Sequence, residues 1–218
     1  MKKSLNYERR EAKSKKAKSC VIFLHGYGAN GLDLINIADS LQNYFPNTVF
    51  LAPDAPKKCS GSPNGFQWFQ IPWIDGCSKS EYQAGVAEAS VELNIWIDFV
   101  LKQENIKYES TILFGFSQGT MIGLHIGLRQ AKSLAGIIGF SGSLIESENL
   151  NKGFISKCPI LLIHGAQDEV VPASSMEEAK RILESFEIDV KTLLCDNLGH
   201  GISPEGLQES VRFMKETL

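Results

Sequence analysis

Ile112-Leu113-Phe114-Gly115-Phe116-Ser117-Gln118-Gly119-Thr120-Met121 is the stretch from which the fold is read. A run of strand-favouring apolar residues stops at Gly115, Ser117 follows, and Gly119 opens an apolar segment with the length of a helix. This is G-x-S-x-G between a strand and a helix, the spacing of a nucleophile elbow. Such a turn forces its serine into a strained backbone conformation that lifts the hydroxyl above the sheet. Gly115 and Gly119 carry no Cβ to hold strand and helix apart. The pattern alone has modest weight, so its surroundings decide.

Upstream, Cys20–Leu24 is continuously apolar, as a strand covered on both faces should be. It ends in the glycine-rich His25-Gly26-Tyr27-Gly28-Ala29-Asn30-Gly31. Leu34, Ile35, Ile37, Ala38, Leu41 and Phe45 then recur at helical spacing, and Pro46 stops that helix. Thr48–Leu51 reads as a strand, followed by Ala52-Pro53-Asp54-Ala55-Pro56. Residues 53–80 have no clear period and carry four prolines, yet hold Phe66, Trp68, Phe69, Ile71 and Trp73. That aromatic content argues against disorder. The segment reads either as a loop folded onto the core or as a wall of a substrate pocket.

Apolar positions 82, 86, 89, 93, 96/97 and 100 predict a long amphipathic helix. Ser110–Phe114 is the elbow strand, and the helix from Gln118 is apolar nearly all round, hence central. Leu134–Phe140 and Pro159–Ile163 are further buried strands, and Val190–Leu194 is a further strand. Ser175 and Glu178 suggest a capping box for a helix whose inner face carries Met176, Ala179, Leu183 and Phe186. The last helix starts at Ser203-Pro204 and buries Leu207, Val211, Met214 and Leu218. Strands alternating with helices predict an α/β fold: a mostly parallel central sheet with helices on both faces and no large lid. Functional groups in such sheets gather beyond the carboxyl ends of the strands.

The whole chain sets outer bounds. Its 218 residues, 43% hydrophobic and 22% charged, suit one domain over 1–218 with a substantial core. Net charge is −3, so no global field favours nucleic acid or an anionic membrane. Residues 1–18 hold eight Lys/Arg against two Glu. They read as a basic edge segment, with a strand around Leu5–Arg10 and a solvated turn at Lys13–Lys18. Five cysteines form no C-x-x-C pair and no metal-ligand spacing, so no metal site is expected. An odd thiol count with no signal-like apolar segment after Met1-Lys2-Lys3 points to the cytoplasm. No apolar run approaches the roughly 18 residues that span a bilayer, so no stable membrane insertion is expected. A homodimer is compatible with such a chain.

A serine hydroxyl needs a base within reach, and the base needs an orienting acid. Of four histidines, His200 sits in a Gly-flanked loop after the last strand and comes last in the chain. That matches the nucleophile–acid–base order of an elbow serine. His125 lies deep in the buried helix, and His164 ends a strand; both read as structural. Asp168, five residues beyond Ile163, is the expected acid, with Asp196 as the alternative on the loop of His200 itself. Asp189 opens a strand at the wrong edge. Ser141 ends a strand but lacks the second glycine. The oxyanion would take the backbone N–H of Gln118 and one from the loop His25–Asn30, with Tyr27 the best choice there. That loop has neither G-K-[ST] nor G-x-G-x-x-G, so phosphate binding is not expected.

On these residues the chain resembles the phospholipase/carboxylesterase family of α/β hydrolases, which includes bacterial carboxylesterases and acyl-protein thioesterases. The resemblance runs from about Cys20 to the C-terminus. It rests on Phe23–Gly28, Ala52–Pro56, Trp68-Phe69, Gly115–Gly119, Phe140–Gly142, His164–Asp168 and Gly199-His200-Gly201. It implies Ser117, Asp168 and His200 as nucleophile, acid and base, and Tyr27 and Gln118 as oxyanion donors. It also places the acyl chain near Trp68 and Phe69. The implied activity is cleavage of carboxylic esters or thioesters, lysophospholipids among them, without a cofactor. The tyrosine in Gly26-Tyr27-Gly28 looks more like the bacterial esterases than the protein-deacylating members. Alternatives of another kind are a non-catalytic binding module, an acyltransferase or a C–C hydrolase on the same scaffold.

Overall fold

The computed structural model describes residues 5–59, 61–145 and 156–218. Among the described residues seven strands form one sheet: β1 (Tyr7–Arg10), β2 (Ser19–Leu24), β3 (Thr48–Pro53), β6 (Thr111–Phe116), β7 (Gly136–Phe140), β8 (Ile160–Gly165) and β9 (Val190–Cys195). Their order across the sheet is β1-β3-β2-β6-β7-β8-β9. Of these seven, β1 runs antiparallel, on β3, with Tyr7 opposite Pro53, and the others pair in parallel. The remaining two, β4 (Lys57–Lys58) and β5 (Phe66–Gln67), form a separate antiparallel ribbon inside the long aromatic segment.

The expected α/β sheet is the one found, and alternation along β2 shows its two faces. Cys20, Ile22 and Leu24 pack with residues of α4 (Lys79–Glu104), α5 (Gln118–Gly127) and α6 (Ser174–Ser185). Val21 and Phe23 pack on the other side with α1 (Gly31–Ile35), α2 (Ile37–Leu41) and α7 (Pro204–Thr217). Every residue of β2, β3 and β8 is buried. That is why these strands appear in the sequence as unbroken apolar runs.

Strand order reverses between β2 and β6: from β2 the chain builds outward to β3, then returns to place β6 on the other side. A sheet opens a crevice at such a switch point, beyond the carboxyl ends of its strands. The two loops bordering it here are His25–Asn30 after β2 and Ser117 after β6.

Several local expectations need correction. The helix read through Leu34–Phe45 is two short helices with Asn36 between them. Asn36, a weak helix former, is held by the Arg10 guanidinium at 3.3 Å. The expected inward positions are nonetheless buried, with only Ile37 partly so. The first helix carries a capping box between Asn30 and Asp33. By contrast the box read at Ser175 and Glu178 does not form. The helix begins at Ser174 after Ala173, with no side-chain cap, because Pro172 already opens the turn. On α7, Ser203 caps Gly206 as expected, but Leu218 is 42% exposed and Phe213 takes the inward place. Among the described residues no helix is long and apolar enough to cross a membrane.

His125 is half-buried on α5 and its Nδ1 has no hydrogen-bond partner. Burial, helped by the Arg129 charge, lowers its pKa from 6.5 to about 4. In the unfolded chain this ring takes a proton near pH 6.5, whereas in the fold it does so only near 4. Between those values the unfolded chain binds more protons, so stability falls as pH falls. His125→Gln should flatten the stability profile across that window, removing about 2 kcal/mol of acid destabilisation in urea titrations.

Candidate active site

Ser117 occupies the one-residue turn between β6 and α5 with φ 54° and ψ −117°. Its N–H donates to the Phe140 carbonyl at 2.8 Å, which ties the turn to the end of β7. A Cβ on Gly119 would stand 1.8 Å from the Leu24 carbonyl oxygen, and one on Gly115 2.5 Å from Thr120 Cα. Both glycines are therefore demanded by backbone packed against backbone, and the elbow cannot relax without breaking that contact.

His200 lies on the loop between β9 and α7. Its ring sits 5.0 Å from the Phe116 ring, centroid to centroid, beside the residue that precedes Ser117. Its Nδ1 is 2.8 Å from Asp168 Oδ2. Since the carboxylate can only accept, Nδ1 carries the proton and Nε2 keeps its lone pair. Asp168 is 8% exposed, and its other oxygen, Oδ1, accepts the N–H groups of Val170 and Val171 at 2.9 Å each. Burial pushes the Asp168 pKa up. The bonds from Val171, His200 and Val170 outweigh it, so the group titrates below the ordinary carboxylate value. Asp168 is thus held as a charged, oriented acceptor.

The alternatives lie elsewhere. Asp196 is exposed, and Asp189 is exposed at the opposite end of β9. His164 is 1% exposed; its Nε2 donates to the Val171 carbonyl at 2.8 Å and lies 3.3 Å from Asp168 Oδ2, so it braces the acid from behind. Ser141 is wholly buried, at φ 48°.

The first loop passes close to the elbow: a Cβ on Gly26 would be 3.3 Å from Ser117 Cβ. His25 anchors this loop. It is fully buried, donates from Nδ1 to Gly26 O at 2.8 Å and accepts the Ala55 N–H on Nε2 at 2.9 Å. Burial above all keeps its pKa below the ordinary histidine value, so it serves as a neutral strut. The Tyr27 side chain is half-buried against the core, and its hydroxyl donates to Asp75 Oδ1 at 2.5 Å. Asp75 closes α3 (Pro72–Asp75) and also accepts the Ile71 N–H at 2.7 Å. Gln118 opens α5, so its N–H is among the first-turn donors that have no partner within the helix.

A contact role for Trp68 and Phe69 does not fit the structure, because both are 0% exposed. Their segment is the loop folded onto the core. Trp68 Nε1 donates to His25 O at 2.9 Å, and Phe69 meets Tyr82 edge to face at 5.4 Å. The Gln118 side chain, whose amide had no reading in the sequence, fastens this loop to the elbow. Its Oε1 accepts the Trp68 N–H at 2.9 Å and its Nε2 donates to Phe69 O at 2.8 Å. A glutamine amid apolar residues right after the serine was the available signal. Exposed apolar surface comes instead from Trp73 (74%) and Ile74 (52%) on α3, and from Val170 (59%) beside Asp168.

Comparison with known proteins agrees with this architecture. The profile of the phospholipase/carboxylesterase family matches residues 5–218. An acyl-protein thioesterase 1 homolog of Dictyostelium discoideum is 30% identical over 208 residues, covering 91% of this chain and 90% of its own length. The esterase YpfH of Escherichia coli is 25% identical, with 95% and 87% covered. Among solved structures, esterase PE8 superposes with a TM-score of 0.93 at 38% identity, covering 99% of this chain and all of that one. This chain is a hydrolase with the α/β-hydrolase fold and belongs to the phospholipase/carboxylesterase family.

Proposed function

We propose that residues 1–218 form one domain that cleaves carboxylic esters through an acyl-enzyme on Ser117. The observation that carries this reading is the His200 imidazole, protonated on Nδ1 by its bond to Asp168 and set beside the elbow at Phe116. In this scheme Ser117 Oγ attacks the acyl carbon while His200 Nε2 takes its proton. The negative oxygen that forms is met by the backbone N–H groups of Tyr27 and Gln118. The imidazolium, stabilised by Asp168, returns the proton to the departing alcohol. Water, deprotonated by the same nitrogen, then releases the acid. No cofactor enters any step.

The acyl portion rests on the apolar rim of Trp73, Ile74 and Val170. Their exposure among the described residues suits both short and medium chains. Thioesters share the acyl half and are a second substrate class; the kinship with an acyl-protein thioesterase supports their inclusion. A fluorophosphonate probe is the direct test. Mass spectrometry should find one adduct, on Ser117, and none in Ser117→Ala. An adduct on Ser141 would reject the assignment.

A further inference from the structure

The 26-residue helix α4 has two apolar faces. One, with Leu93, Trp96, Ile97 and Val100, is in the core. The other is uncovered: Val91 is 50% exposed, Ile95 46% and Phe99 51%. At 3.6 residues per turn these three lie within about 40° of one line along the helix, and Glu88 and Lys102 fall on the same line. The stripe is therefore Glu88, Val91, Ile95, Phe99, Lys102, an apolar centre with an acid at one end and a base at the other.

Its spacing is symmetric about Ile95. Val91 and Phe99 stand four residues before and after it, and Glu88 and Lys102 seven. A two-fold axis through Ile95 that sets two α4 helices antiparallel would match each position with its complement. Ile95 would meet the partner's Ile95, and Val91 the partner's Phe99. About 10 Å along the helix, Glu88 would meet the partner's Lys102, once at each end. The like charges are kept apart. Glu92 and Asp98 lie on opposite edges of the stripe, and Asp98 is occupied by the Tyr108 hydroxyl at 3.0 Å. Glu88 is exposed enough to serve a second cation beside Lys57, its partner at 2.6 Å. Lys102 has no ion-pair partner among the described residues. We infer that this stripe is the contact between two copies of the chain, an antiparallel α4–α4 pair centred on Ile95. The inference stands independently of the catalytic reading.

Charge reversal gives a decisive test, because an isologous contact carries each pair twice. Glu88→Lys alone would set lysine against Lys102 at both ends, and Lys102→Glu alone would set glutamate against Glu88. An equimolar mixture of the two variants restores both attractive pairs in the heterodimer. Sedimentation equilibrium should show the wild type rising from 24.1 kDa toward twice that mass between about 1 and 100 μM. Each variant alone should associate at least about tenfold more weakly, and the mixture should recover wild-type association. Ester turnover at the wild-type rate in both variants serves as the check on folding. A wild type that stays monomeric, single variants that dimerise normally, or a mixture that fails to recover would each overturn the proposal.

Discussion

Ser117→Ala should lower kcat for a short-chain aryl ester by roughly 10⁴–10⁶-fold while leaving the fold intact. The fold survives because the oxygen contributes nothing to the turn: the backbone bond to Phe140 and the approach to Leu24 remain. Ser117→Gly separates the two demands on this position. It removes the nucleophile as completely, but also relieves a residue held at φ 54°. That relief should stabilise the protein by about 1 kcal/mol, or about 2–4 °C in melting temperature. Near-native turnover in either variant would move the nucleophile elsewhere.

Asp168→Asn should cost about 10⁴-fold in kcat, and the hydrogen bonds show why. Asp168 Oδ1 is claimed by the N–H groups of Val170 and Val171, so an asparagine must keep its carbonyl oxygen there. Its NH₂ would then take the place of Oδ2 and face His200 Nδ1 as a donor. The imidazole would have to accept on Nδ1 and carry its proton on Nε2, the tautomer that cannot take one from Ser117. Asp196→Asn, on an exposed side chain, should change kcat by less than about twofold. Parallel stopped-flow assays of the two variants read this directly, and the reverse ranking would exchange the acid.

What could be read in the sequence follows from what each residue needs. The central strands were legible because strands covered on both faces must be apolar throughout, as in Cys20–Leu24. Asp168 could be preferred over Asp196 because chain order and position beyond a strand limit where a partner for His200 can stand. The break at Asn36 was hidden: the Arg10 guanidinium that bonds its side chain arrives from an edge strand remote in sequence. Trp68 and Phe69 read equally well as pocket wall or core, since residue type does not say which side of a loop faces in. The Gln118 amide lies between them and the elbow, and its two partners are fifty and forty-nine residues away. The bond from Tyr27 to Asp75 is of the same kind.

The Gln118 amide has a consequence for re-engineering. Because one side chain spans the elbow and the 66–69 segment, that segment is not an interchangeable cassette. A graft from a relative into positions 61–75 must present a backbone donor and acceptor to the same amide, or bring its own residue for position 118. Diversity introduced at Trp73 and Ile74 carries no such obligation, so altered substrate range is best sought there.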